Sequence, residues 1–90
     1  MKVEKQIEVV NKLGLHARAA AKLVKLTAGF NSTISLDMDD RRVDAKSIMG
    51  IMMLAATQGT KLTVVAEGSD AEAAIHAVCD LFADCFGEGE

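Results

Sequence analysis

The stretch Asn11-Lys12-Leu13-Gly14-Leu15-His16-Ala17-Arg18-Ala19-Ala20-Ala21-Lys22 holds the residues best suited to chemistry. An alternating segment gives way there to a helical one, so His16 stands at a helix start. The first backbone N–H groups of a helix have no intrahelical partner and carry the positive end of its dipole, which favours an anion on the imidazole. Arg18 adds a fork of charged donors. No carboxylate occurs from Val9 through Leu36, whereas Lys12, Arg18, Lys22 and Lys25 do, so this segment carries +4 against −7 for residues 37–90. In such surroundings His16 is expected as the free imidazole, a nucleophile. A hydrolytic site would need a nucleophile or second carboxylate nearby, and the local sequence offers neither. His16, His76, Cys79 and Cys85 lack metal-ligand spacing. No metal or cofactor is therefore expected. A lone ring suits a protein that stores a group and completes its active site only when docked on another.

Around this stretch the 90 residues can bury one modest core, and residues 1–90 read as a single domain. Half of the residues are hydrophobic and 26% charged, the balance of a folded domain. Phe30, Phe82 and Phe86 are the only aromatics and the net charge is −3, which argues against a nucleic-acid partner. No run approaches the roughly 20 apolar residues of a membrane span, and no signal-peptide pattern opens the chain, so a cytoplasmic protein is expected. A monomer is expected as well.

The elements that must position His16 follow in order. Val3, Ile7 and Val9 alternate with Glu4, Gln6 and Glu8, which predicts a half-buried first strand. A helix is predicted from Ala17 to Ala28, with Ala20, Leu23, Val24 and Ala28 inward and Gly29 as its stop. Arg18, Lys22 and Lys25 then form a basic stripe. Thr33 to Met38 reads as the second strand, with Ile34, Leu36 and Met38 inward. Asp39-Asp40 turns the chain into a short edge strand, Arg42 to Ala45. Ser47 caps a helix over Ile48-Met49-Gly50-Ile51-Met52-Met53-Leu54-Ala55-Ala56, apolar on every side. So small a domain cannot bury all of it, which predicts an exposed apolar patch. Lys61 to Glu67 forms the fourth strand, with Leu62, Val64 and Ala66 inward. Ser69 and Glu72 read as a capping box for the last helix, whose inward stripe is Ala74, Ile75, Val78, Leu81, Phe82 and Cys85. Six residues apart on that helix, Cys79 and Cys85 would lie ~9 Å apart along its axis, too far for a disulfide. Gly87-Glu88-Gly89-Glu90 reads as a frayed tail. The order β-α-β-β-α-β-α predicts an α+β domain, an antiparallel sheet covered by helices on one face.

Each candidate also has an ordinary reading. His76 lies between Glu72 and Asp80 on an acidic helix face and is assigned no chemistry. The Arg18-Lys22-Lys25 stripe could be a plain solvated face, or could steer the chain toward acidic partner surfaces. The methionine-rich helix could be core, but flexible thioethers also suit a surface that binds several partners in turn. For Ser47 a plain N-cap is compatible with a modification site, since phosphate is tolerated at a helix N-terminus.

Leu13-Gly14-Leu15-His16-Ala17-Arg18-Ala19-Ala20, followed by Lys46-Ser47-Ile48-Met49-Gly50-Ile51-Met52, resembles the HPr family, the histidine-containing phosphocarriers of the bacterial phosphoenolpyruvate phosphotransferase system. The resemblance spans nearly the whole chain. It implies an HPr-like open-faced β-sandwich, with a four-stranded antiparallel sheet and three helices on one face. It further implies a stoichiometric carrier rather than an enzyme, with His16 accepting a phosphoryl group at Nδ1 from phosphorylated enzyme I and passing it to a histidine of an enzyme IIA domain. By the same resemblance Arg18 attends the phosphoryl group and Ser47 is a regulatory site for a serine kinase and phosphorylase. Ile48, Met49 and Met52 are implied in partner docking. Carriers of the nitrogen-related branch share the motif, and a small-molecule-sensing or interaction module of similar α+β architecture is the alternative from another class. The sequence departs from the family at Ala19, where most members carry proline. Alanine keeps the helix but loses some stiffness at its start.

Overall fold

A computed structural model describes residues 1–88 of the chain. Its elements are β1 (Lys2–Glu8), α1 (Ala17–Thr27), β2 (Thr33–Met38), β3 (Arg41–Asp44), α2 (Ile48–Met53), β4 (Lys61–Glu67) and α3 (Ala71–Ala83), followed by a 3-10 turn, Cys85–Gly87. The strands form one antiparallel sheet in the order β1-β4-β2-β3. Only β2 and β3 pair as a local hairpin, with Met38 opposite Arg41 and the two-residue link Asp39-Asp40 between them. Asp39 takes the positive φ, 56°, that such a tight link demands. β4 enters between β1 and β2, although it comes last in the chain.

Period-two patterning decides which face is covered. Ile34, Leu36, Leu62, Val64 and Ala66 are buried and join Ala20, Leu23, Ile51, Ala74, Ile75, Val78 and Phe82 in one core. α3 packs on β1 and β4, while α1 packs on α2 and α3, so the helices share one face of the sheet. Val65 points to the other face yet is buried. It sits on a central strand opposite Glu4 on one side and Ser35 on the other, and its neighbours shield it.

Several local expectations are corrected. α1 stops at Thr27, with Ala28 capping and exposed; Ala19 and Thr27 face inward instead. The Thr27 hydroxyl donates to the Ala45 carbonyl at 2.8 Å, which lets a polar group be buried there. Ser69 does not cap the last helix. Asp70 holds the cap position, and its carboxylate accepts from the Asn31 N–H at 2.8 Å, the Ser32 N–H at 2.9 Å and the Ser32 hydroxyl at 2.5 Å. It therefore ties α3 to the loop before β2. Cys85 lies in the 3-10 turn, not in α3, and both cysteines are free. Gly87 and Glu88 are not frayed: the turn folds back and brings Glu88 to the N-terminus of α1. Gly89 and Glu90 lie outside the described residues.

Candidate functional site

The loop before α1 is fixed at both ends. The Gly59 N–H donates to the Val9 carbonyl at 2.7 Å, and the Val9 N–H to the Thr60 carbonyl at 2.9 Å. The Leu15 N–H donates to the Ala56 carbonyl at 3.0 Å, which ties the loop to the segment leaving α2. Between these bonds Gly14 has φ +69°, and a Cβ there would fall 2.4 Å from the Ala56 oxygen. Only glycine permits that approach. Asn11 is fully buried, and its Nδ2 donates to the Gly14 carbonyl at 2.8 Å, closing the loop from within.

His16 is the N-cap of α1, with extended backbone (φ −74°, ψ 178°) and no side-chain capping bond. The first helical bond runs from the Ala20 N–H to the His16 carbonyl, 2.8 Å. The N–H groups of Ala17, Arg18 and Ala19 precede it and make no backbone bond among the described residues, so the helix presents bare donors beside the ring. Arg18 is exposed on this first turn.

The carboxylate-free neighbourhood expected around His16 is not what the structure shows. Nε2 of His16 lies 2.5 Å from Oε2 of Glu88, and Asn11 Nδ2 donates to the other oxygen, Oε1, at 3.1 Å. Seventy-two residues separate the histidine from this carboxylate, so a search of neighbouring sequence could not find it. The glutamate side chain keeps only 10% of its exposure and the histidine 25%. Burial pushes the Glu88 carboxyl up, but bonds from His16 and Asn11, with the charges of a protonated His16 and of Arg18, outweigh it and hold the group below its ordinary range.

What brings Glu88 there is the turn after α3. Cys85 and Phe86 both take φ 54°, a left-handed conformation that costs non-glycine residues roughly 1–3 kcal/mol each. Phe86 is fully buried against Phe82, ring centroids 4.8 Å apart, and that burial offsets the cost by roughly 3 kcal/mol. Lys22 Nζ donates to the Phe86 carbonyl at 2.6 Å. Lys22 is thus tied to the turn rather than standing free on the basic stripe, while Arg18 and Lys25 are exposed as expected.

Lys12, Leu13, Arg18, Lys22, Gly87 and Glu88 line a groove at this end of the molecule. Three cations and one carboxylate border it, a setting for an anion of more than one charge. A larger groove lies on the uncovered face of the sheet, among Thr33, Ser35, Arg42, Asp44 and Val65, and none of the site residues reach it.

Ser47 caps α2 by accepting from the Gly50 N–H at 3.1 Å. Ile51 and Leu54 turn inward, leaving Ile48, Met49, Met52 and Met53 exposed. Arg41 donates to the Met53 carbonyl and closes the far end of the helix. Leu13 is a further exposed apolar side chain, 62% exposed on the loop bonded to Ala56; its place in the loop gave no amphipathic period to reveal it. Ser47 lies at the other end of the six-residue helix, about 9 Å along its axis.

No helix of the described residues is long and apolar enough to cross a membrane. Residues 3–84 match the family model for the PTS HPr component phosphorylation site. The phosphocarrier protein HPr of Cupriavidus necator is 48% identical over 88 residues, covering 98% of this chain and 99% of that protein. The phosphocarrier protein NPr of Shewanella violacea is 40% identical over 87 residues, covering 97% and 96%. The crystal structure of HPr-C-His from Thermoanaerobacter tengcongensis superposes with a TM-score of 0.92 at 49% identity, covering 96% of this chain and 97% of that one. With the helix-capping histidine, the sheet order and these matches in agreement, the chain belongs to the HPr family of phosphotransferase-system phosphocarriers.

Proposed function

We propose that this chain carries a phosphoryl group on His16, taking it from phosphorylated enzyme I and handing it to a histidine of enzyme IIA domains. The observation that carries this reading is the disposition of the ring. Nε2 is held by Glu88 while Nδ1 has no hydrogen-bond partner among the described residues. A nucleophilic nitrogen at a helix N-terminus can form a bond to phosphorus and leave the new oxygens to bare N–H groups and Arg18. Ile48, Met49, Met52 and Leu13 then form the docking surface beside it, with Lys25 and Arg18 supplying steering charge. Phosphate on Ser47 would leave its helix capped and place about two negative charges beside that surface, weakening docking.

Incubation with phosphoenolpyruvate and enzyme I tests the reading. One acid-labile, alkali-stable phosphate is expected per chain, and none on His16→Ala. Phosphate still appearing on that variant would falsify the assignment. The 40% identity to an NPr supports a second reading, service in the nitrogen-related branch. Charging by the enzyme I counterpart of that branch, in preference to the sugar-branch enzyme, is the result expected if it holds.

A further inference from the structure

The two nitrogens of His16 are not equivalent. An ionised carboxylate has only lone pairs to offer, so at the 2.5 Å contact Nε2 is the donor and carries hydrogen. In a neutral ring this leaves the lone pair on Nδ1. His16 makes no capping bond to its own helix, and Nδ1 has no hydrogen-bond partner among the described residues.

The carboxylate is itself held in place. Asn11 Nδ2 spends one hydrogen on the Gly14 carbonyl and the other on Oε1 of Glu88. Reversing that amide would set oxygen against two acceptors, so its orientation is forced. Asn11 thereby fixes which oxygen of Glu88 faces the loop and which faces the ring. The backbone on the other side is anchored by buried Phe86 and by Lys22 on its carbonyl.

Resting on His16 as the phosphoryl acceptor, we propose that Glu88 is a positioning residue for the transfer. It keeps hydrogen on Nε2 so that Nδ1 presents its lone pair, and it faces the positive charge the ring gains as the N–P bond forms. In the transfer the Nδ1 pair bonds to phosphorus, the donor's bond to phosphorus breaks, and its electron pair leaves with the donor. The hydrogen on Nε2 stays, so the product ring is a phosphorylated imidazolium beside the carboxylate. Discharge to the acceptor histidine reverses each step, and no proton needs to enter or leave.

Glu88→Gln tests the proposal. Asn11 Nδ2 still requires an acceptor, so the glutamine oxygen takes the place of Oε1 and its NH2 turns toward His16. Nε2 must then accept, the hydrogen moves to Nδ1, and the nucleophilic pair is lost. Nitrogen NMR of the histidine-labelled protein, with exposed His76 as an internal reference, is expected to show hydrogen on Nε2 in the native chain and on Nδ1 in Glu88→Gln. In single-turnover charging at saturating phosphorylated enzyme I, Glu88→Gln is expected to be roughly tenfold or more slower. Glu88→Ala, where water can serve either nitrogen, is expected to fall between the two. Native rate and unchanged tautomer in Glu88→Gln would overturn the proposal. So would Glu88→Ala as slow as Glu88→Gln, which would make the tail a structural anchor, or faster than native, which would make it a cover. Each of these outcomes leaves the His16→Ala result, and so the carrier reading, standing.

Discussion

The amide of Asn11 and the carboxylate of Glu88, 77 residues apart in the chain, meet 3.1 Å apart behind His16 and join the two ends of the fold at one ring. Asn11 is buried and its two donor contacts have no substitute, so Asn11→Ala is expected to cost about 1–3 kcal/mol of unfolding free energy in urea titration. Asn11→Asp is nearly isosteric but sets oxygen against both the Gly14 carbonyl and the Glu88 carboxylate. It is expected to cost more than alanine; the reverse order would mean that the amide merely fills space.

Gly14→Ala forces a side chain into a left-handed position with its Cβ 2.4 Å from the Ala56 oxygen. The loop must shift, and a loss of about 2 kcal/mol is expected in thermal or urea unfolding. Because the same loop carries His16, charging by enzyme I is expected to slow in the folded variant. A stable variant with native charging would show that the loop adapts freely.

Asp70 imposes a pH dependence on stability. The Ser32 hydroxyl, then the Asn31 N–H, hold its carboxyl below the ordinary 3.8, against the opposing effect of burial. The folded chain therefore keeps the group ionised to lower pH than the unfolded chain does. In that window the unfolded state binds more protons, so unfolding free energy rises with pH. The contribution is complete above the unfolded value and lost as pH falls through the folded one. Accordingly the stability gap between native protein and Asp70→Asn is expected to be level above about pH 6 and to narrow below about pH 4. A gap that stays constant across that range refutes the assignment.

Ser47 separates capping from charge. Ser47→Ala removes the acceptor for the Gly50 N–H and is expected to cost about 1 kcal/mol with charging unaffected. Ser47→Asp keeps a cap and adds charge at the helix start, so it is expected to retain stability yet accept phosphate from enzyme I more slowly. Equal charging rates in the two variants would separate Ser47 from docking.

Much of the scaffold was legible because its signals are local. Leu62, Val64 and Ala66 alternate on β4, as Ile34, Leu36 and Met38 do on β2, and both strands span the residues that alternation marks. Ser47 lies one residue before an apolar helix and caps it. The sulfur-rich surface followed from counting: Met49 and Met53 remain 68% and 66% exposed because the small core has already taken Ile51 and Leu54. Where two local signals competed, pattern misled. Ser69 with Glu72 matched a capping box, but the Asp70 carboxylate was drawn to three donors around Ser32, and the helix began one residue later.

The amino-acid order by itself determined that a histidine would cap a helix amid lysines and an arginine, since a strand period, a turn glycine and a helix period meet within a few residues there. It could not determine what stands against the other side of that ring. Pairing β4 between β1 and β2, and burying Phe86 at a left-handed turn, are choices made by long-range packing, and they alone carry Glu88 across 72 residues to Nε2. Periodicity reports only which face of an element is buried. Contact between groups distant along the chain depends on how all those faces close together.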